Sequence, residues 1–179
     1  MMRLPDTSPL RAPDARAAVL GGGLSLGLLV GAWVFQYGLG YAPCVMCYWQ
    51  RYAHMGVIGV ALAVLGYRAA FGRGRGLPTG LGPALLVLAL LGSAGLGLYH
   101  VGVEQGVFAG PQLCAADVGG RLEYDLDDPL AALDGPVSGP SCSDVVWSFL
   151  GLSMAGWNAL LSLSGALGVA WIGLKGRPA

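Results

Sequence analysis

Charged residues are distributed along this chain in a way that predicts its elements. No Asp, Glu, Lys or Arg occurs from Ala17 to Gln50, from Tyr52 to Tyr67, from Gly76 to Val103 or from Val145 to Leu174. A helix needs about 20 apolar residues, within a range of about 17–25, to cross the hydrocarbon of a bilayer. The pattern therefore predicts four transmembrane helices, near 18–37, 48–67, 81–101 and 154–174. Helices this long in a soluble protein would carry a polar face, and these have almost none. The first could serve as a secretory signal behind Arg3, Arg11 and Arg16. Its apolar run is too long for that and no A-x-A site follows, so it reads as a mature helix.

Composition agrees. Apolar residues make up 55% of the 179, charged residues only 11%, and the net charge is zero. Disorder requires low hydrophobicity and high net charge, and a nucleic-acid surface requires basic clustering. The 31 glycines have no G-X-Y period, which removes collagen. Many of the small residues repeat every fourth position: Gly23, Gly27 and Gly31; Ser93 and Gly97; Ser162, Ala166 and Ala170. Such faces predict close helix packing in lipid. Trp33, Tyr41, Tyr48, Trp49, Tyr99, Trp147 and Trp157 fall near the expected interfaces, as an aromatic belt would.

Basic residues set the expected orientation, because Lys and Arg cluster in cytoplasmic segments. Arg3, Arg11 and Arg16 precede the first span, Arg68, Arg73 and Arg75 follow the second, and Lys175 and Arg177 follow the fourth. Both termini are then cytoplasmic. Two loops, approximately 38–47 and 102–153, lie outside. The longer one carries Glu104, Asp117, Glu123, Asp125, Asp127, Asp128, Asp134 and Asp144 against Arg121 alone. Pro111, Pro129, Pro136 and Pro140, with Gly119 and Gly120, predict irregular chain, with a short helix conceivable only over Pro129–Asp134. Its acidic residues read as a solvated face or a docking surface for a soluble partner.

All four cysteines fall in these outer loops. Cys44 and Cys47 form a C-x-x-C, and Cys114 and Cys142 lie 28 residues apart. The outer side of a bacterial inner membrane is oxidising, and the simplest pairing is within each loop, Cys44–Cys47 and Cys114–Cys142. The second pair could be a plain staple, stabilising by roughly 3–4 kcal/mol on the chain-entropy model. A ribbon-type zinc site would want a second C-x-x-C. Short exposed disulfides are more often redox-active than structural. Cys47 is placed at the start of the second span, where helix N–H groups stabilise a thiolate. Arg51, four residues on, shares its face and is the only charge between Arg16 and Arg68. Snorkelling could account for such an Arg; a role beside a reactive thiolate explains it better. Electrons from a membrane C-x-x-C reach a lipid-soluble quinone most directly. Arg51, and His100 at the outer end of the third span, are the available donors to quinone oxygens.

At these residues the chain resembles the disulfide bond formation protein B (DsbB) family of bacterial membrane thiol oxidases. The resemblance covers nearly the whole chain. It rests on Pro43-Cys44-Val45-Met46-Cys47 with Arg51, on Tyr99-His100-Val101-Gly102-Val103-Glu104, on Gly110-Pro111 before Cys114, and on Cys142 followed by Phe149-Leu150-Gly151-Leu152-Ser153-Met154. It implies that Cys47 faces a quinone, ubiquinone or menaquinone, with Arg51 beside it and Met154 lining the pocket. It implies that Cys44 exchanges with the second pair, that Cys114 is attacked by a reduced periplasmic DsbA-like oxidase, and that Cys142 relays oxidation from Cys44. Family members carry a Glu-His pair where this chain has Glu104-Gln105; here the histidine, His100, stands four residues earlier. A four-helix quinone-linked oxidoreductase of the vitamin K epoxide reductase type would place its C-x-x-C late in the chain. A non-enzymatic membrane protein with structural disulfides is the remaining alternative.

Overall fold

The computed structural model describes residues 12–71, 80–111 and 141–175. They form four long helices: α1 (Pro13–Trp33), α2 (Val45–Phe71), α3 (Leu81–Glu104) and α4 (Met154–Lys175). A π-helical turn, Val34–Gly38, extends α1. A two-residue-turn hairpin, β1 (Ser148–Phe149) with β2 (Leu152–Ser153), leads into α4. Its turn places Leu150 at φ 52° and Gly151 at φ 79°, the left-handed conformations that a type I′ hairpin requires.

Each helix, α1 together with its π turn, is long and apolar enough to cross a membrane. The helices run 5 residues earlier at Pro13, 3 earlier at Val45, 4 later at Phe71 and 3 later at Glu104 than the expected spans. Pro at the first position of α1 tolerates the missing N–H there, and Gly80 at φ 94° begins α3. The outward faces carry Leu20, Leu26, Leu62, Leu88, Leu98, Leu163 and Leu167, all exposed. Such a surface suits lipid and not water.

The helices form an antiparallel ring in which α1 and α3 each contact both α2 and α4. At one end Arg68 of α2 binds Asp14 of α1 at 3.1 Å, and a Cβ on Gly173 of α4 would meet Pro83 of α3. The apolar core lies toward this end, with Val57, Ala61, Val64, Leu86, Leu90, Ala166 and Val169. The opposite end gathers Cys44, Met46, Val103 and Cys142 into a second buried cluster.

The small-residue faces behave differently from one another. Gly97 of α3 lies on the α4 backbone: a Cβ there would come within 2.9 Å of the Ala159 nitrogen and 3.0 Å of the Ala155 oxygen. Ser93, Ser162 and Ala166 are buried in the bundle. Gly23, Gly27 and Gly31 were expected to pack too, but a Cβ at any of them would meet nothing within 4 Å. The middle of the long loop, with Cys114 and the short helix expected over Pro129–Asp134, lies outside the described residues. So do Arg3, Arg11, Arg73, Arg75 and Arg177.

Candidate functional site

Cys44 is the residue just before α2, and its carbonyl accepts the first helical hydrogen bond, from the Tyr48 amide at 3.3 Å. That makes it the N-cap. Its sulfur takes the cap's usual role, accepting the Cys47 backbone N–H at 3.2 Å. The helix N-terminus was expected to favour a thiolate on Cys47; the geometry directs it to Cys44. Cys47, one turn in, lies with its sulfur 2.9 Å from that of Cys44. Both are free cysteines here, with their sulfurs adjacent.

The Cys44 thiol is driven down to about 4. Hydrogen bonding from the Cys47 thiol contributes most. Burial opposes it, and His100 and the Cys47 amide add to the lowering. His100 comes from α3 and places Nε2 3.6 Å from the Cys44 sulfur. The backbone of Cys142 hydrogen-bonds the same ring. Cys142, 1% exposed, is disulfide-bonded; neither Cys44 nor Cys47 is its partner. The ligand atoms of Cys44, Cys47 and His100 lie within 4.8 Å of one another, three donors where a closed zinc site takes four.

Cys47 opens onto a cavity of about 260 Å³ between α1, α2 and α4. The apolar wall includes Gly27, Gly31, Ala32 and Phe35, and Met154 and Trp157 close it from α4. The open face left by Gly27 and Gly31 is thus part of this wall, where side chains would fill the space. Arg51 lines it from α2. Its Nη2 donates to the Ala32 carbonyl at 3.3 Å, Nη1 donates to Gln36 Oε1, and the guanidinium sits 5.3 Å from the Tyr48 ring centre. The π turn supplies both Phe35 and Gln36; such turns inside helices often mark functional sites. Phe35 meets Trp147 edge-on at 4.9 Å, and Trp157 Nε1 donates to the Phe149 carbonyl at 3.0 Å. Tyr41, Trp147 and Trp157, expected as an interfacial belt, line the cavity instead.

The structure therefore brings Cys44, Cys47, Arg51, His100, Met154 and Cys142 to one end of the bundle, with Cys114 outside the described residues. Glu104 accepts a hydrogen bond from Ser153 Oγ and, with Asp144, lines a smaller recess beside Cys44. Sequence reasoning missed three polar residues of the cavity, Gln50, His54 and Asn158. The signal was present: Met46, Gln50 and His54 recur at every fourth position, and all three are buried. An uncharged but hydrogen-bonding side chain inside a span demands a partner.

A family model described as "Disulfide bond formation protein DsbB" matches residues 14–172. The chain is similar to "Disulfide bond formation protein B" of Marinobacter nauticus, 33% identical over 137 residues, covering 75% of this chain and 76% of that protein. It is 34% identical over 162 residues to the protein so named in Aromatoleum aromaticum, covering 88% and 89%. In an Azoarcus species the figures are 36% over 148 residues, covering 79% and 81%.

Proposed function

This chain belongs to the disulfide bond formation protein DsbB family, multi-pass membrane thiol oxidases that depend on a quinone, and from that premise we propose the route its own residues provide. The soluble dithiol partner, a periplasmic DsbA-like oxidase, is oxidised at Cys114–Cys142. The Cys44–Cys47 pair then re-oxidises Cys114–Cys142. The single observation that carries this reading is a reactive C-x-x-C with Cys47 on the wall of an apolar cavity and Cys44 packed beside buried Cys142.

The exchange balances without any outside group. The Cys142 thiolate attacks the Cys44 sulfur of the Cys44–Cys47 disulfide, and the electron pair leaves on Cys47. Cys114 then attacks Cys142; the Cys114–Cys142 bond forms, the Cys142–Cys44 bond breaks, and the pair leaves on Cys44. A sulfur whose thiol is as acidic as that of Cys44 leaves readily. Because Cys142 already lies in the cluster with Cys44, the first step needs little displacement of that sulfur.

The cavity fits a quinone ring in kind. Its walls are mostly apolar, and Arg51 and Cys47 both line it. Cys47, Arg51, His100 and Met154 would hold the ring, ubiquinone or menaquinone. When bound, the quinone supplies the two-electron acceptor for the Cys44–Cys47 dithiol. Arg51 holds its charge against Gln36 and the Ala32 carbonyl, positioned for an oxygen acceptor, and the aromatic group of Phe35, Trp147 and Trp157 excludes water from Cys47. The end bearing Arg16, Arg68 and Lys175 faces the cytoplasm and the cysteine end the periplasm.

The test is quinone reduction by the purified protein with a reduced thioredoxin-like partner. Cys114→Ala should leave Cys44–Cys47 oxidisable by quinone but stop partner oxidation. Normal partner oxidation by that variant would move the entry point to the C-x-x-C and make the second pair a staple.

A further inference from the structure

A chain of buried hydrogen bonds runs from the redox pair into the middle of the bundle, and all four helices contribute to it. Ser25 of α1 lies 3.1 Å from His54 Nδ1. His54 Nε2 lies 2.6 Å from Asn158 Oδ1 and 3.2 Å from Ser93 Oγ. Asn158 Nδ2 donates to Gln50 Oε1 at 2.7 Å. Gln50 Nε2 lies 2.7 Å from His100 Nδ1, and His100 Nε2 faces the Cys44 sulfur at 3.6 Å. Ser162 adds a bond to Asn158 Oδ1 at 3.3 Å. Ser25, Gln50, His54, Ser93, His100, Asn158 and Ser162 are all buried.

The direction of every link follows from chemistry. An amide NH₂ only donates and an amide oxygen only accepts. Gln50 Nε2 therefore donates to His100 Nδ1, which leaves the hydrogen of a neutral ring on Nε2, toward Cys44. Asn158 Oδ1 accepts, so the hydrogen of His54 is also on Nε2, and Ser25 donates to His54 Nδ1. All the donors point the same way, from Ser25 to the sulfur. Helix–helix adhesion alone would account for polar pairs between spans. It would not require five groups to align head to tail and end on a redox-active sulfur. Chains of this kind polarise one another along their length.

We propose that His54, acting through Asn158 and Gln50, is a positioning residue that holds His100 in the tautomer donating to the Cys44 sulfur. The amides carry orientation rather than protons. The consequence for turnover rests on the thiol-exchange reading above: the electron pair released from the Cys44–Cys142 bond arrives at a sulfur with an N–H already aimed at it. The groups facing Cys44 are Cys47 from α2, His100 and Glu104 from α3, and Asp144 from the segment before the hairpin, with Arg51 one turn beyond Cys47. His54 is met by Ser25, Ser93 and Asn158, and among the described residues the charged group lining its cavity is Arg51.

The experiment uses the full-length reduced protein in detergent, alkylated with iodoacetamide from pH 3 to 9. Peptide mass spectrometry reads the rate at Cys44 alone. His54→Ala and Asn158→Leu should each raise the midpoint of Cys44 alkylation by about one pH unit, the scale of one hydrogen bond to a charged group. Combining them should add nothing further. His54→Gln, which retains a donor for Asn158 Oδ1, should restore the wild-type midpoint. Should His54→Ala fail to fold, His54→Leu with Asn158→Leu replaces the network by apolar side chains, a change that cores tolerate, and the same upward shift is expected. An unmoved midpoint in folded variants, or additive shifts, would overturn the relay and leave the network as adhesion between helices. Reduction of a short-chain quinone by the wild-type protein is measured alongside. Activity without a midpoint shift in the variants defeats this inference alone; absence of activity defeats the functional reading and leaves the alkylation result standing.

Discussion

Two seams of this bundle have the same signature in sequence and opposite uses in space. Along α3 and α4, Ser93, Gly97, Ser162 and Ala166 bring the helices together until Gly97 touches the α4 backbone. Along α1, Gly23, Gly27 and Gly31 repeat at the same spacing, yet no atom would meet a Cβ at any of them. On that side the helices hold open a cavity that reaches Cys47 and Arg51. A small residue licenses close approach without enforcing it. Which of the two occurs depends on what the neighbouring helix presents: Ala155 and Ala159 at the closed seam, Arg51, His54 and the aromatic group at the open one.

The open seam should carry the chemistry, so the largest effect is expected there. Cys47→Ser should lower quinone reduction by roughly a thousandfold or more, since among the described residues no second thiol lines the cavity. Measured turnover with a reduced partner checks this, and retained activity would remove the mechanism. The closed seam should respond through stability instead. Gly97→Leu forces atoms into backbone that cannot yield and should destabilise the folded protein by about 3 kcal/mol, the upper range for overpacking. Thermal unfolding in detergent reads that loss.

Arg51→Met separates charge from volume at the open seam. Loss of a charged hydrogen-bond donor is worth about 1.5–3 kcal/mol, so the KM for quinone should rise at least tenfold while the unfolding temperature changes little. Gly27→Leu sharpens the comparison directly. It should leave unfolding nearly unchanged, because nothing lies where its side chain would begin, yet raise the quinone KM by roughly tenfold as it occupies the cavity. Equal loss of stability in Gly27→Leu and Gly97→Leu would show the two seams to be alike after all.

The two redox states should also differ in pH dependence. The Cys44 thiol ionises near 4 when folded against a usual value of 9.0. A depressed value means that the folded, reduced protein binds fewer protons than the unfolded chain between those limits. Its stability should therefore rise from about pH 4 to 9 and be lost as pH falls through 4. Denaturant unfolding of the reduced protein at pH 4, 6 and 8 measures the slope. The oxidised protein, with no Cys44 thiol, should not share that term.

Much of this architecture was legible in the chain. Hydrocarbon tolerates few charges, so gaps between charged residues located the four helices within a few residues of their observed ends. C-x-x-C chemistry and its spacing to Arg51 are local, because residues three or four apart share a helix face. The resemblance carried by Cys44, Cys47, His100 and the segment before Met154 pointed to the family that the whole-chain comparison shows. Tertiary structure decided what depends on a second helix. It made Cys44 the N-cap acceptor, put His100 against that sulfur rather than out at an interface, and turned the glycine face of α1 into a cavity wall. It also joined Gln50, His54, Asn158, Ser25 and Ser93, residues distant in sequence, into one directed chain. Helix periodicity determines which side chains share a face, but the partner of a buried hydrogen-bonding group is set by which face of another helix arrives opposite it.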